Sequence, residues 1–482
     1  MLTILLILFP LALSLIIFFT KEKRAARAGA LAGALVELGI AVTAFIRFRY
    51  VCRCELLASA DWFSEMGISL KFGMDGIGLL LVLLTTVLTP VILFSASREK
   101  GERPPAFYAL VLLMESALVG VFTSFDGLIF YVFWELALIP AWFICALWGG
   151  DDRIRITFKF FLYTFTGSLL MLAALVWVYV RTPAPHSFDF QWMYAAALSP
   201  REQAWVFAAF FVAFAVKIPV FPFHTWQPDT YATAPPSGSM LLAGIMLKMG
   251  VFGMIRWMLP ICPDAVRLFT PWAMGLAVTG IVYGSVIAIR QDDLKRLIAW
   301  SSIAHVGLIT AGVFALNIQA LQGSVIQMVS HGINITGLFL AVMFIEHRTG
   351  TRSIAQLGGI ARQAPRLAFL FMLMVLGSIA LPLTNGFVGE FLLLIGLWEY
   401  STVAAAVAGL TVIFSAVYML WMYQRTMLGD AVPATENFAD LSWREASLFI
   451  PLAVLVLWIG VAPGMFLDIS VQDAVQVLNY LK

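Results

Sequence analysis

Apolar runs of about twenty residues, parted by short polar stretches, recur along the whole chain. A helix needs roughly 20 apolar residues to cross a bilayer core, and on that rule the pattern predicts about 14 spans. They fall near residues 2–20, 29–50, 75–97, 106–123, 126–148, 156–180, 204–229, 237–259, 268–289, 296–316, 321–345, 367–398, 402–427 and 446–467. Two of these runs carry internal breakers. The seventh holds Lys217 followed by Pro219 and Pro222, and proline both removes a backbone donor and clashes with the preceding turn. The twelfth is too long for one straight helix and contains Pro382, Gly386 and Gly389. Both are expected to be broken helices, which are tolerated at membrane depth where they line a cavity or lie inside protein.

The fold class expected is an all-α integral membrane protein. Broken helices five spans apart run in opposite directions, the pattern of inverted repeats. The expected organisation is residues 1–105 for the first three helices and 106–260 for a first five-helix repeat (spans 4–8). Residues 265–428 hold a second repeat (spans 9–13), and 429–482 the C-terminal helix.

Composition agrees: of 482 residues, 61% are hydrophobic and 12% charged, where soluble domains are nearer a quarter charged. A net charge of +2 gives no footprint for nucleic acid. Nineteen of the 30 lysines and arginines fall on alternate loops beginning with Lys21–Arg27. The positive-inside rule makes that side cytoplasmic and puts both termini on the other side. The run Leu2–Phe19 is followed by positive charge, where a signal peptide has the charge first, so it is expected to stay as the first span. Cys52, Cys54, Cys145 and Cys262 lack the second pair or nearby histidine of a metal site. No glycine-rich nucleotide fingerprint is present.

The informative residues are the ionisable ones inside spans, because charge at bilayer depth is costly and marks ion or proton paths. Glu135, Lys217, Lys248 and Glu390 each sit well away from a span end, with His305 and His331 beside them. Burial disfavours a charged lysine and a nearby carboxylate restores it, so Glu135 could switch Lys217 between holding and releasing a proton. Histidine suits a relay. Lys217 is expected at the C-terminal end of one half-helix. Glu390 is expected at the N-terminal end of another, where the helix dipole favours each charge. Glu115 is a weaker candidate of the same kind, balanced against a structural role. Glu37 is weaker still, and His224, just after the break, is balanced between contact with cavity water and a structural hydrogen bond. Asp292, Asp293, Lys295 and Arg296 are expected to form a solvated loop cluster.

The segments WELALIP, KIPVFPFHTWQPD, AGIMLKMGVFG, WSSIAHVG and NGFVGEF resemble the antiporter-like membrane subunits of respiratory complex I and the related Mrp-type cation/proton antiporters. The resemblance runs from about the third span to the thirteenth. Glutamate at the twelfth-span break and an ending soon after span fourteen are similar to the M-type branch. The resemblance implies a proton channel coupled to remote electron transfer in a bacterial inner membrane, working as a translocase subunit without a cofactor of its own. NAD, FMN, iron–sulfur clusters and quinone would belong to other subunits. Implied partners are the other membrane-arm subunits, especially the L- and N-type antiporter-like ones, and lipids. Glu135 would pair with Lys217, Lys248 and the histidines would continue a hydrated axis, and Glu390 would end it. Where many relatives carry a histidine and a glutamate after the HTWQPD segment, this chain has Thr230, Tyr231, Ala232 and Thr233, which removes an ionisable pair from the expected uptake mouth. An Mrp-type Na⁺/H⁺ antiporter subunit, a membrane-bound hydrogenase subunit and a scaffold remain as other readings.

Overall fold

A computed structural model describes residues 1–50, 56–99 and 103–481. Cys52, Arg53, Cys54, Lys100 and Lys482 lie outside the described residues. Among the described residues, eleven helices are long and apolar enough to cross a membrane. The first nine segments of the chain are α1 (Leu2–Phe18), α2 (Lys23–Tyr50), α3 (Gly76–Ala96), α4 (Pro105–Thr123), α5 (Gly127–Trp148), α6 (Arg153–Arg181), α7 (Pro200–Lys217), α8 (Gln227–Thr233) and α9 (Pro236–Ile261). They continue as α10 (Pro263–Ile289), α11 (Leu294–Phe314), α12 (Ile318–Thr349), α13 (Pro365–Ser378), α14 (Asn385–Tyr400), α15 (Thr402–Met427), α16 (Trp443–Val461) and α17 (Gly464–Asn479). The spans expected first, seventh and twelfth fall on shorter pieces: α1, the pair α7–α8, and the pair α13–α14.

Both breaks stand where the prolines and glycines place them. α7 stops at Lys217, and Pro219 has a φ of 32°. Backbone carbonyls left without helical partners must find others. The buried indole of Trp226 answers this by donating to the Val216 carbonyl at 2.9 Å. At the second break the chain turns through Ala380 and Leu383, both at positive φ, between α13 and α14. Ser330 of α12 donates to the Asn385 carbonyl at 3.0 Å and fixes the start of the second half-helix. Gly386 is required there. A Cβ on it would lie 2.1 Å from the Gly377 carbonyl oxygen, so the half-helices approach backbone to backbone.

Two features were not expected. An antiparallel hairpin, β1 (Ala58–Phe63) and β2 (Ile68–Phe72), turns through Gly67 between α2 and α3. It is docked by an ion pair from Lys71 to Asp189. The amphipathic helix α17 lies against α3 and α12. Asp473 on α17 accepts from the Gly76 backbone at 2.6 Å. On the same face Arg256 pairs with Asp75. Of the loop cluster expected to be solvated, Asp292 is exposed and Asp293 and Arg296 are half-buried, but Lys295 is buried. Asp292 accepts from Ser353 at 2.5 Å and from the Ala355 backbone at 3.0 Å, and Asp293 caps α11.

Gly386→Ala should overpack the second break at a cost of about 1–3 kcal/mol. A heat-ramped native gel or a melt of the purified protein should show the loss, whereas Gly275→Ala, on α10 with open space at its Cβ, is the control for an added methyl without a clash.

Candidate functional site

Two helices, α7 and α5, bring the first charged group together. Lys217, the last residue of α7, is buried, and its ammonium makes no hydrogen bond. It lies 5.3 Å from the centroid of the Trp134 ring on α5. A cation over an indole face is attracted by the ring quadrupole without being desolvated by a fixed donor–acceptor pair. Glu135, one residue further along α5, is close enough to interact electrostatically with Lys217, and one of its oxygens is buried and unpaired. Its side chain is only half-buried, on a helix whose Val132 and Ile139 face outward.

The second group is built by α9, which is not a regular helix. Two widened turns with i→i+5 geometry, Leu242–Met246 and Met254–Met258, flank Lys248–Gly253. Such widened turns expose carbonyls and recur at functional sites. Lys248 takes up the Ala243 carbonyl at 2.6 Å and reaches Nδ1 of His331 at 3.0 Å. The close approach depends on two glycines: a Cβ on Gly332 of α12 would lie 2.7 Å from the Gly244 carbonyl of α9. His331 Nε2 lies 3.0 Å from the Ser302 hydroxyl of α11. α9 also seats on the first break, where a Cβ at Gly250 would meet Ile218 at 2.4 Å.

The third group ends the row. His305 Nδ1 on α11 lies 3.0 Å from Glu390 Oε1 on α14, and Gln327 donates to the same oxygen at 3.3 Å. The His305 and His331 rings are 6.1 Å apart, centroid to centroid. Beside them lies a cavity of about 10 Å³ lined by Ser301, Gln327, Asn334 and Ser378 among others, about the room that one water requires. His305 Nε2, Gln327 Oε1 and Asn334 Oδ1 are buried without partners, and such a water would need polar partners of this kind.

The chemistry follows from the inventory of donors and acceptors. With Lys248 as ammonium, His331 must present its Nδ1 lone pair to it and its Nε2–H to Ser302. Transfer of the ammonium proton to Nδ1 leaves a neutral amine and an imidazolium. At the next histidine, Nδ1–H donates to the Glu390 carboxylate while Nε2 is open. A proton taken up at Nε2 lets the Nδ1 proton pass to Glu390. Each step moves one proton and leaves the heavy atoms in place.

Lys217, Lys248, His305, His331 and Glu390 are therefore brought together on adjoining elements, with Glu135 at one end. Glu390 does not stand at the N-terminal end of its half-helix, as its preceding glycine led us to expect. Glu390 is the sixth residue of α14, past the first turn, and the dipole effect fades within that turn. His305 and Gln327, not the helix end, face its charge. Glu115 is fully buried but lies outside this row, beside Thr89 of α3 and Glu37 of α2. His224 packs among Phe221, Tyr283 and Trp300 with Nδ1 unpartnered.

Lys295 was missed. It is buried at the start of α11 and donates to the Ala234 carbonyl at 3.0 Å, just past the stretch where Thr230–Thr233 lack a titrating group. Glu99, Glu346 and Arg352 line a cavity of about 200 Å³ with it. Glu99 accepts from the Ser237 backbone at 2.5 Å and pairs with Arg103. The neighbouring charges in its sequence made Lys295 look like loop; that it follows the helix cap Asp293 was the available signal.

A row of lysine, histidine and glutamate side chains threaded between two broken helices defines an antiporter-like membrane protein. The chain belongs to the NADH:quinone oxidoreductase/Mrp antiporter transmembrane family, whose profile matches residues 124–415. It is 41% identical over 413 residues to NADH-quinone oxidoreductase subunit M of Rickettsia conorii, covering 85% of this chain and 83% of that one. It superimposes with a TM-score of 0.92 and 32% identity on a chain of respiratory complex I from Thermus thermophilus with bound NADH, covering 100% of both. A chain of the Mrp complex from Dietzia sp. DQ12-45-1b shares the fold, with a TM-score of 0.89 at 20% identity over 99% of this chain and 97% of that one.

Glu390→Ala should strand the His305 N–H in a buried site and cost about 1–3 kcal/mol, whereas Glu390→Gln keeps an acceptor there and should cost less. Melting temperatures of the two variants compared with wild type test the contact.

Proposed function

We propose that this chain is the proton-translocating membrane-arm subunit, M-type, of a bacterial NADH:quinone oxidoreductase. The observation that carries the reading is the unpaired Lys217 ammonium at a helix break, within reach of Glu135 and followed by the row from Lys248 to Glu390. Glu135 and Lys217 form the switch, Lys248, His331 and His305 the relay, and Glu390 the release group. Glu115 stands outside the row. NAD, FMN, iron–sulfur clusters and quinone are held by other subunits, and electron transfer there drives this chain at a distance.

Protons load at the cavity of Lys295, Glu99 and Glu346. This position stands in for the titrating pair that Thr230–Thr233 lack, and the buried Lys295 next to Ala234 supports it. The cavity lies on the side with the excess of basic loops, which makes it cytoplasmic and leaves both termini periplasmic. Spans 4–8 and 9–13 act as inverted repeats, within residues 106–260 and 265–428, each contributing one broken helix. Flanking L- and N-type antiporter-like subunits cover the faces where large apolar side chains and half-buried Glu135 stand outward; lipid covers the rest. The relatives' names favour this reading over a Na⁺/H⁺ antiporter subunit, since the Mrp match is at 20% identity and carries the fold alone.

The test uses membranes with the assembled complex, checked on a native gel, recording NADH-driven quinone reduction and proton uptake together. Lys217→Ala and Glu135→Gln should assemble yet lose coupled turnover about tenfold or more, a rise of ~1.4 kcal/mol or above in the limiting barrier. Lys217→Arg keeps the charge but cannot release its proton, so it should fail as Ala does; rescue by arginine would mean a structural cation. Variants that pump at wild-type stoichiometry would overturn the channel reading. Lys295→Met should slow proton uptake while leaving the complex assembled; unchanged uptake would move the loading point elsewhere.

A further inference from the structure

The N-terminal helices hold two carboxyl groups that the Lys–His row does not use. Glu37 on α2 and Glu115 on α4 are fully buried, and none of their four carboxyl oxygens has a hydrogen-bond partner. The two are close enough for their charges to interact. Both stand at mid-depth. Glu37 is ten residues from Arg27 and ten from Arg47, so each cation lies about 15 Å away along the helix. The groups that face the pair are polar but neutral. The Thr89 hydroxyl of α3 stands beside Glu115. Pro90 follows it inside the helix and has no N–H to give the Thr86 carbonyl, which is thereby freed in the same turn.

Carboxylates with a structural task in a membrane hydrogen-bond across helices; here the Thr89 hydroxyl beside Glu115 gives its hydrogen to the Thr85 carbonyl at 2.9 Å, and the carboxyl oxygens are left without a fixed donor. Two adjacent negative charges in an apolar interior, with no cation beside them, cannot both persist. We propose that Glu37 and Glu115 form a second proton-binding site, a carboxyl pair that holds an exchangeable proton. It stands apart from the Lys–His row. α3 lies between them and turns Leu84 and Leu88 toward Gly332 and Gly244, where Lys248 and His331 meet. An apolar layer thus separates the pair from the row. The pair lets one unit of charge appear or vanish beside the row without passing a proton through it.

Infrared difference spectra of the purified, assembled complex, recorded in water and in heavy water, test the pair directly and do not depend on whether the complex pumps. The wild type should show a protonated-carboxyl C=O band that shifts on deuteration. Glu37→Gln and Glu115→Gln should each move that band, and the double variant should lose the amplitude of one carboxylic acid. Thr89→Val removes no carboxyl and should also shift the band, which keeps the test open if the glutamine variants fail to assemble. Identical carboxyl bands in wild type and in Thr89→Val or the double variant would overturn the proposal. So would a band that appears only when sodium is removed, because a metal cation would then occupy the pair.

Discussion

A lysine ammonium without a hydrogen-bond partner, inside a membrane, is the constraint on which this structure depends. Lys217 cannot be moved out to an interface by its own stem, because it ends a half-helix packed on α6, α9 and α10. Its charge is met by two weak partners of different kinds, the Trp134 ring and the Glu135 carboxyl. A tight ion pair with several hydrogen bonds would hold the proton too well, and full isolation would expel it. Buried charges are retained at a cost only where geometry compensates them, and here the compensation is partial. A partly compensated charge is one that a small displacement of α5 can change.

The remaining architecture keeps the backbone satisfied around that charge. The first break frees carbonyls at membrane depth, and Trp226 answers the one at Val216; at the second, Ser330 ties down the start of α14 through the Asn385 carbonyl. At Leu242–Met246, α9 frees a carbonyl without a proline in the turn. Its widened turns release the Ala243 carbonyl, which Lys248 then occupies. Glycines at 244, 250, 332 and 386 are placed where these irregular backbones must touch. Fold and site are therefore one set of contacts, and a substitution at a glycine far from any charge acts on both.

Much of this was legible in the sequence. The Lys217–Pro219–Pro222 pattern placed the end of α7 near Lys217, where it falls, because proline chemistry is local. The ionisable residues inside spans stood out because the bilayer makes them expensive. What was not legible depended on contacts between distant segments. Glu390 follows a glycine, which suggested a helix start, but the helix begins at Asn385 under the hold of Ser330, and no local rule carries that hold. Lys295 sits among Asp292, Asp293 and Arg296 and read as loop; only the packing of α11 on the segment after α8 buries it. The β1–β2 hairpin and α17 were not legible because both are short and half polar, and the bilayer constrains only long apolar runs.

The row of polar groups is also informative where it stops. From Lys248 through His331 to Ser302, and again from His305 to Glu390, the contacts are at hydrogen-bond distance. Between the two histidines there is room for about one water. Between Lys217 and Lys248 stand Ile218 and Gly250 in close apolar packing. An unbroken hydrogen-bonded wire across a membrane would let protons run down their gradient whatever the enzyme was doing. An apolar constriction conducts only when water enters it. On the proposed path, the apolar step beside Lys217 is the one that separates a channel from a pump, and it lies against a cation whose partners, Trp134 and Glu135, both stand on α5.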